Sequence, residues 1–517
     1  MDRCDDQTET IAFLSQPGAY ALAGPVERID THAAIVFLVG DRAYKLKRAV
    51  RYPYLDFSTA EKRKAVCETE LALNRRTAPD LYLGVQPVGR SDDGTLAIGL
   101  GTPVDWLLVM RRFAPECLLD AMAREGALDP RLVRELADAI AAFHDGAKAV
   151  PGPGAGRVRA VIEGNRASMA ALPDALLPAD ECERLYRRSL ALLDELAPLL
   201  DSRAASGHVR HCHGDLHLAN ICLWHGRPTL FDCLEFDTAL ATTDVLYDLA
   251  FLLMDLWQRG LRAEASLAFN RYCDMRGESD GLAALPLFLS MRAAVRAHVT
   301  ASAAGRQPDA AGREERQAAA RAYLAAALVF LDRQPPRLIA VGGLSGTGKS
   351  TLAGGLAPHL GAPPGARWLR SDVLRKRLAG VVPEAPLPAT GYTAERSRAV
   401  YDRLIGEARR ALAAGTSVIV DAVFAAPAER AAVAGIADAA GVPFLGLWLE
   451  AAPDVLRARV GERRGDASDA DAAVVDRQLG YALGDLTGWQ RMSAAGSRDE
   501  VLAGALALAA RQAPDGR

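Results

Sequence analysis

The chain of 517 residues is long for a single hydrophobic core, and its length predicts two or three domains. Half of the residues are hydrophobic and 24% are charged, which is typical of a globular protein and excludes a chain dominated by disorder. The formal net charge of −3 provides no overall field that would attract a polynucleotide or an anionic membrane, so we do not expect nucleic acid as a partner.

The cysteines and the N-terminus indicate where the protein works. Eight cysteines are scattered without a Cys-x-x-Cys pair, and residues 1–6 lack the basic and apolar regions of a signal peptide. We expect no apolar run to reach the ~18 residues needed to span a bilayer. The sequence therefore predicts a cytoplasmic protein with reduced thiols and no membrane association.

A small strand-rich lobe is predicted over residues 1–115. Its apolar segments are separated by turn residues and lie at 33–39, 43–50 and 106–110. Residues alternate along the second segment, so Lys45 and Lys47 share one face of a strand. Either ammonium group could bind the phosphates of a nucleotide, and we favour Lys45 because it lies in the middle of the strand.

The next helix is predicted to supply a carboxylate that pairs with this lysine. Ser58 and Glu61 have the spacing of a capping box, which indicates where the helix begins. A rotation of ~100° per residue gives an apolar stripe of Val66, Thr69 and Leu73. Glu70 lies beside this stripe, so we predict that Glu70 pairs with the lysine; the alternative is that both are surface charges.

A helical lobe is predicted over residues 116–333, and it contains a kinase-type catalytic loop. The loop is His213-Gly-Asp-Leu-His-Leu-Ala-Asn220, followed by Leu230-Phe-Asp-Cys233. In such a loop an Asp accepts the proton of the attacking hydroxyl, and an Asn five positions later and a further Asp bind Mg²⁺. Asp215 fits the first of these roles, and Asn220 and Asp232 fit the other two.

Further carboxylates follow this loop. Asp244 and Asp248 are four residues apart and share one face of a predicted helix. They either brace the catalytic loop or cap helices, and both interpretations stay open.

These motifs resemble the aminoglycoside phosphotransferase branch of the protein-kinase-like fold, over about residues 10–330. The resemblance implies an α+β, two-lobed kinase domain in which Asp215 is the general base and Asn220 and Asp232 hold Mg²⁺. One departure is that no Gly-x-Gly-x-x-Gly loop precedes Lys45, where the chain has only Asp-Thr-His-Ala at 30–33.

A third domain is predicted over residues 337–517, after the Pro-Pro pair that ends at Pro336. Strands at 337–342, 366–370, 416–421 and 443–450 alternate with helices, which predicts an α/β domain with a parallel sheet. The first strand runs into the P-loop pattern Gly-x-x-x-x-Gly-Lys-Ser. We predict that ATP is bound by Gly343, Gly346, Gly348, Lys349, Ser350 and Thr351, with the Ser350 hydroxyl also on Mg²⁺.

Catalytic groups are expected at the carboxyl edge of this sheet. Asp372 follows the second strand and could meet an incoming hydroxyl, and Arg375 shares its helical face. The alternative is that Ser371 or Asp372 only caps the helix. Asp421 ends an apolar strand as a Walker B aspartate does, so we predict that it holds Mg²⁺.

A lid is predicted near the end of the chain. Arg459 and Arg463 lie about one helical turn apart, before the polar stretch 465–471. They could steady the transferring phosphoryl group, or they could form the solvated basic face of an amphipathic helix.

The P-loop domain resembles the small-molecule and polynucleotide 5′-kinases, including gluconate kinase and the zeta-toxin kinases, over about residues 337–500. The whole chain resembles an uncharacterised bacterial family that fuses the two kinase domains, through motifs at 44–47, 55–58, 70–76 and 231–237. These resemblances imply ATP and Mg²⁺ as cofactors.

We therefore expect a bifunctional kinase, each domain transferring the γ-phosphoryl group of ATP to a hydroxyl of a small molecule such as a sugar or related metabolite. One alternative is a nucleotide-sensing regulator with one or both domains non-catalytic. Another is an aminoglycoside resistance kinase, although the helical lobe shows no acidic cluster for a polycationic drug. Coupling between the domains is expected, and the sequence leaves its form open.

Overall fold

The computed structural model describes residues 4–22, 24–31, 33–52, 55–305, 309–462 and 465–511. The strands are β1 (Glu27–Asp30), β2 (Ala34–Val39), β3 (Arg42–Lys47), β4 (Arg51–Tyr52), β5 (Leu55–Asp56), β6 (Tyr82–Arg90), β7 (Leu96–Ile98), β8 (Thr102–Arg111), β9 (Val209–His211), β10 (Ile221–Trp224), β11 (Arg227–Leu230), β12 (Thr242–Asp244), β13 (Leu338–Gly343), β14 (Arg367–Arg370), β15 (Val418–Asp421), β16 (Phe444–Glu450) and β17 (Trp489–Ser493).

The helices are α1 (Thr8–Leu14), α2 (Ala60–Asn74), α3 (Leu119–Arg124), α4 (Pro130–Gly146), α5 (Gly154–Ala170), α6 (Ala179–Ala205), α7 (Thr238–Ala241), α8 (Val245–Gln258), α9 (Arg262–Arg276), α10 (Leu285–Ala304), α11 (Ala310–Phe330), α12 (Lys349–Leu356), α13 (Ser371–Leu378), α14 (Ala394–Ala413), α15 (Pro427–Ala440), α16 (Pro453–Glu462), α17 (Ala472–Leu479) and α18 (Arg498–Arg511). The chain forms two compact units, Met1–Gly154 with Arg203–Leu252 and Ala155–Ser202 with Leu253–Arg517. The predicted three-part division at 115 and 333–337 stays a prediction.

The first unit contains an antiparallel sheet in the order β1-β2-β3-β8-β6-β7. Side chains alternate across it, so Ile35 and Phe37 pack with Leu14 of α1 on one face, while Ala43 packs with Cys67 of α2 on the other. Because Lys45 and Lys47 continue the alternation from Ala43, they extend toward the α2 face. This pattern explains why two charged residues lie in a buried strand.

Helix α2 differs in two details from its prediction. Its N-cap is Thr59, which accepts a hydrogen bond from the backbone N–H of Lys62, so the capping box expected at Ser58 and Glu61 was wrong by one residue. The expected apolar stripe was also wrong, because the buried residues are Arg63, Cys67, Glu70 and Asn74. Burial on this helix is balanced by ion pairs, such as that of Arg63 with Asp105 at 2.8 Å, which an apolar pattern cannot predict.

The second unit contains a parallel five-stranded sheet in the order β14-β15-β13-β16-β17. This confirms the predicted α/β domain, and the four predicted strands lie within two residues of β13, β14, β15 and β16. Strand β17 was not predicted because its sequence, Trp-Gln-Arg-Met-Ser, is polar and mostly exposed, as an edge strand can be. Helix α12 and helix α18 cover one face of the sheet through Leu352, Leu356 and Ala505.

One apolar helix is longer than the sequence analysis expected. The segment Leu282–Ala304 is long and apolar enough to cross a membrane, so the expectation that no run reaches this length was wrong. Of its most apolar window, 67% is buried inside the protein, and α10 packs along α11. The core helix of a globular domain has the same properties.

Helix α9 covers the outer edge of β14. The Asn270 side chain accepts a hydrogen bond from the Trp368 N–H (2.7 Å) and donates one to the Ala366 carbonyl (3.1 Å). These are the two bonds that a neighbouring strand would supply, so one amide group substitutes for a strand at this point. Arg367 donates to Asn270 Oδ1 at 3.0 Å and pairs with Asp274, which fixes the same contact from the sheet side.

We predict that Asn270→Leu lowers the free energy of unfolding by about 2 kcal/mol, because it leaves the buried Trp368 N–H and an Arg367 donor without an acceptor. Denaturant unfolding of the full chain measures the loss. Asn270→Asp keeps the acceptor and should lose less. Equal stability of Asn270→Leu and wild type would contradict this account of the edge.

Candidate active sites

A buried ion-pair network lies at the centre of the first unit. Lys45 Nζ is 2.8 Å from Glu70 Oε1 and 2.7 Å from Asp232 Oδ1. Lys47 Nζ is 2.5 Å from both Glu70 Oε2 and Glu235 Oε1. The two predicted lysines therefore share Glu70. Among the described ion pairs, Asp232 is bound by Lys45 and not by Lys47. Glu235, three residues after Asp232, belongs to the same network.

The charges in this network stabilise one another. Burial would lower the pKa of Lys45, but Asp232 and Glu70 hold it well above its ordinary value. Burial likewise would raise the pKa of Asp232, and the charge and hydrogen bond of Lys45 bring it below its ordinary value. Lys45 is therefore an ammonium and Asp232 a carboxylate at neutral pH, the forms that bind phosphate and a divalent cation.

The catalytic loop brings Asp215 and Asn220 together. Asn220 Nδ2 donates to Asp215 Oδ2 at 2.8 Å and to the Asp215 carbonyl at 2.9 Å. His217 Nε2 lies 3.4 Å from the same carboxylate oxygen. Asp215 also acts electrostatically on Asp232. A pair of carboxylates with an amide beside it is a donor set that suits Mg²⁺, so these residues fit the expected metal.

Asp248 braces this loop from α8. Its carboxylate accepts from the backbone N–H of His213 (3.1 Å) and of Gly214 (2.9 Å). His144 Nε2 lies 3.1 Å from the same group. Of the two interpretations that the sequence left open for Asp248, the structure shows bracing, because a fully buried carboxylate holds the backbone just before Asp215.

Two positioning residues, one at the end of α2 and one just after it, were missed. Asn74 Oδ1 accepts from the Cys233 N–H at 2.9 Å, and Arg76 Nη1 donates to the His211 carbonyl at 2.9 Å. They hold the segments that carry Asp232 and Asp215. Asp232 itself has a φ of 60°, a left-handed value that aspartate adopts more readily than most residues, and its N–H donates to Tyr82 Oη at 3.0 Å. The spacing from Glu70 to Asn74, one helical turn, was the available signal.

The P-loop of the second unit has the backbone that its glycines predict. Gly343, Gly346 and Gly348 have φ values of 139°, 85° and 88°. A Cβ on Gly343 would lie 2.7 Å from the Leu449 carbonyl oxygen, and one on Gly346 would lie 2.6 Å from that of Leu456. Both positions therefore exclude a side chain, so the loop needs glycine there to adopt this conformation. Within the loop, the Ser345 N–H donates to Gln478 Oε1 at 2.7 Å.

The groups expected to hold ATP and Mg²⁺ lie beside this loop. Lys349 Nζ donates to the Leu344 carbonyl at 2.9 Å. Ser350 and Lys349 both act on Asp421, whose pKa is nevertheless raised because the carboxyl is buried. Asp421 Oδ2 is buried without a hydrogen-bond partner among the described residues. Such an orphaned oxygen fits a metal ligand. Thr351, which follows Ser350 and was also predicted to bind ATP, is exposed.

Asp372 lies in the first turn of α13 and caps nothing. No side chain caps this helix, so the capping alternative is not what the structure shows. Asp372 acts electrostatically on Arg370 and on Tyr392. Arg375 Nη1 donates to the Gly391 carbonyl at 3.0 Å, and its guanidinium lies 4.9 Å from the centre of the Tyr392 ring. Asp372 and Arg375 thus share the surroundings of Tyr392.

The predicted lid is held by carboxylates. Arg459 Nη2 donates to the Ala494 carbonyl at 2.9 Å, and Arg463 lies outside the described residues. Asp466 Oδ1 is 2.7 Å from Arg370 Nη2, and Asp469 Oδ2 is 2.5 Å from Lys376 Nζ. The stretch after α16 therefore ties to the end of β14 and to α13. Arg370 and Lys376 were missed, although both flank Asp372 in the sequence.

Comparison with known proteins shows which protein family this chain belongs to. Residues 58–285 match the phosphotransferase enzyme family, and residues 338–482 match an AAA domain family. The uncharacterized proteins Rv2004c of Mycobacterium tuberculosis and Mb2027c of Mycobacterium bovis are each 32% identical over 487 residues, which is 91% of this chain and 92% of theirs. The chain belongs to the Rv2004c family.

This chain thus combines two kinase-type domains and is a phosphotransferase of the ATP-using kinase class. The predicted fold class, a protein-kinase-like domain followed by a P-loop domain, is confirmed.

Partial similarities accompany this match. The adenylyl-sulfate kinase of Myxococcus xanthus is 37% identical over 118 residues, 23% of this chain and 59% of that protein. A choline/ethanolamine kinase family protein from Mesorhizobium loti aligns in structure with 62% of this chain and 98% of its own at 18% identity, with a TM-score of 0.37. A sugar kinase from Janibacter sp. HTCC2649 aligns with 35% and 97% at 22% identity, with a TM-score of 0.27.

We predict that Glu70→Gln lowers the free energy of unfolding by about 3 kcal/mol and weakens ATP binding by the first unit, because Lys45 and Lys47 lose their shared buried counter-charge. Denaturant unfolding and titration with a fluorescent ATP analogue measure the two effects. Glu68→Gln is the matched control, since Glu68 is exposed on the same helix. Equal losses in the two variants would refute a special role for Glu70.

We also predict that Gly346→Ala abolishes ATP binding by the P-loop, because its Cβ meets the Leu456 carbonyl and its φ is positive. Isothermal titration with ATP should then report one site fewer than in wild type. Gly435→Ala in α15 is the control, because nothing lies within 4 Å of its Cβ, and it should bind as wild type does. Unchanged stoichiometry in Gly346→Ala would disprove the assignment.

Proposed function

We propose that the protein is a kinase with two active heads. The N-terminal head comprises Lys45, Asp215 and the groups around them, and the P-loop head comprises Lys349, Asp372 and the groups around them. Each head transfers the γ-phosphoryl group of ATP to a hydroxyl of a small molecule, a sugar or related metabolite. The supporting observation is that each head keeps an aspartate suited to be a base beside groups suited to hold ATP and Mg²⁺.

In the N-terminal head, Asp215 is proposed to accept the proton of the acceptor hydroxyl as the bond to phosphorus forms. The hydrogen bond from Asn220 fixes the orientation of this carboxylate. Lys45 would neutralise phosphate oxygens, and Asn220 and Asp232 would hold Mg²⁺, which supplies charge neutralisation when bound. The brace from Asp248 keeps the loop backbone in place, so the base does not have to reorganise during the reaction.

In the P-loop head, Asp372 is proposed to accept the proton of its own acceptor. This carboxylate makes no hydrogen bond or ion pair with the other described residues, so it is available to a substrate. Lys349 would leave the Leu344 carbonyl for the β- and γ-phosphates of ATP. Ser350 and Asp421 would hold Mg²⁺, and the raised pKa of Asp421 would fall once a cation pairs with it.

We place this activity in the cytoplasm. The described cysteines are all free, and five of them, Cys67, Cys212, Cys222, Cys233 and Cys273, are buried. ATP, Mg²⁺ and reduced thiols occur together in that compartment.

We predict that a metabolite screen for ATP-dependent phosphorylation, followed by mass spectrometry, finds an acceptor for each head. Asp215→Asn should reduce turnover on one acceptor about 10²- to 10⁴-fold, and Asp372→Asn should do so on the other, because each removes one base. Lys349→Ala should copy Asp372→Asn. The exposed Asp402→Asn is the charge-matched control and should keep both activities.

Two results would count against this function. No product from any acceptor, with ATP bound at both sites, would favour a nucleotide-sensing regulator. Loss of both activities in either single variant would instead show that the two heads do not work independently.

A further inference from the structure

The arginines beside Asp372 are incompletely paired. Arg370 Nε is buried without a hydrogen-bond partner among the described residues, and so is Arg375 Nε. Arg370 Nη2 bonds Asp466, whereas Arg375 has no carboxylate partner in the part of the chain that the structure describes. Buried N–H groups and an uncompensated guanidinium both cost free energy, so their retention indicates a ligand that pairs with them.

The position of Arg370 is set by the sheet. It ends β14 directly opposite Asp421 in the register of the parallel strands. Arg370 Nε lies 3.9 Å from Asp421 Oδ2, too far for a hydrogen bond, and that oxygen is also unpartnered. The proposed function requires the Asp421 oxygen to bind Mg²⁺. Arg370 then still has an ion pair with Asp466 through Nη2, while its Nε has no acceptor among the described residues.

Among the described residues, Arg375 makes no hydrogen bond or ion pair with the P-loop. Its contacts are the Gly391 carbonyl and the face of the Tyr392 ring, neither of which belongs to the phosphate loop. Lys349 and Ser350 favour the charged form of the Asp421 carboxylate, whereas Arg375 exerts its electrostatic effect on the Tyr392 hydroxyl. An anion held by Arg375 therefore belongs with the acceptor hydroxyl at Asp372, and the phosphates of ATP belong with the P-loop.

We propose that the acceptor of the P-loop head carries an anionic group of its own, a carboxylate, sulfate or phosphate, and that Arg375 and Arg370 bind it. The inference rests on the proposed function and narrows its substrate class from small hydroxyl compounds to anionic ones. The guanidinium fork suits such groups because two parallel N–H donors match two oxygens. Tyr392, stacked on Arg375 and bonded to Asp469, keeps that fork in one orientation.

The binding arm of the test uses inorganic sulfate as the probe. The full chain is saturated with ADP·Mg²⁺ so that the phosphate loop is filled, and sulfate is titrated by calorimetry. We expect one sulfate site whose affinity falls roughly tenfold to hundredfold in Arg375→Gln and in Arg370→Gln. Arg409→Gln, an exposed arginine on α14, is the charge-matched control. Sulfate affinity that is equal in all four proteins would overturn the inference.

The kinetic arm compares matched acceptors in a full chain that carries Asp215→Asn. The pairs are glucose and gluconate, glycerol and glycerate, and adenosine and AMP. We expect turnover with an anionic member, and Arg375→Gln should raise the KM for that acceptor tenfold or more while the KM for ATP is unchanged. Arg375→Lys should recover part of the loss, because it restores charge without the fork. Preference for a neutral member would overturn the inference and leave the proposed function standing.

The two hypotheses fail differently. No turnover on any acceptor counts against the proposed function, while the sulfate titration still decides whether the arginines form an anion site. A lower kcat on neutral and anionic acceptors alike, with normal sulfate binding, would show that Arg375 acts on the transferring phosphoryl group and would overturn the inference. Thermal unfolding of each variant separates these results from misfolding.

Discussion

The N-terminal half of the molecule depends on one buried carboxylate. Glu70 is fully buried between two lysines, and a charge in that place is tolerable only while both partners remain. The same helix ends at Asn74, and Asn74 and the nearby Arg76 hold the backbone of the Asp232 segment and of the catalytic loop. Fixing the rotation of α2 by the Glu70 ion pairs therefore fixes three parts of the site together. This explains why three of the four buried residues of α2, Arg63, Glu70 and Asn74, are polar.

In the P-loop half, the carboxyl ends of the strands position the site residues. The carboxyl ends of adjacent parallel strands put Arg370 and Asp421 side by side, and the first turn of α13 adds Asp372. The stretch after α16 reaches these groups through Asp466 and Asp469. Its contacts are ion pairs with the end of β14 and with α13, whereas the spacing of Arg459 and Arg463 had suggested arginines directed at phosphate. A segment held by exchangeable charges can respond to the arrival of an anion, which apolar packing could not do.

Sequence patterns predicted those parts whose rules are local. The strand-loop-helix of Gly343 to Ser350 and the spacing from Asp215 to Asn220 follow from backbone and ligand chemistry over a few residues, and the structure has both. The buried face of α2 could not be predicted in full, because its partners Asp105 and Cys233 come from distant segments. Strand β17 escaped for a related reason, since an exposed edge strand needs no apolar signal. The brace at Asp248 required knowing that two backbone N–H groups lie opposite it.

The Asn270 side chain occupies hydrogen-bonding groups on the edge of β14 that a further strand would otherwise bind. An uncovered strand edge is a template on which a second molecule can add by β-pairing. In this chain that template is closed by a helix encoded before the linker at 333–337, and Arg367 and Asp274 seal it with charge. A fragment beginning at the P-loop strand would expose the row and be prone to aggregate. The P-loop domain therefore depends on α9, which precedes it in the chain, to cover this strand edge.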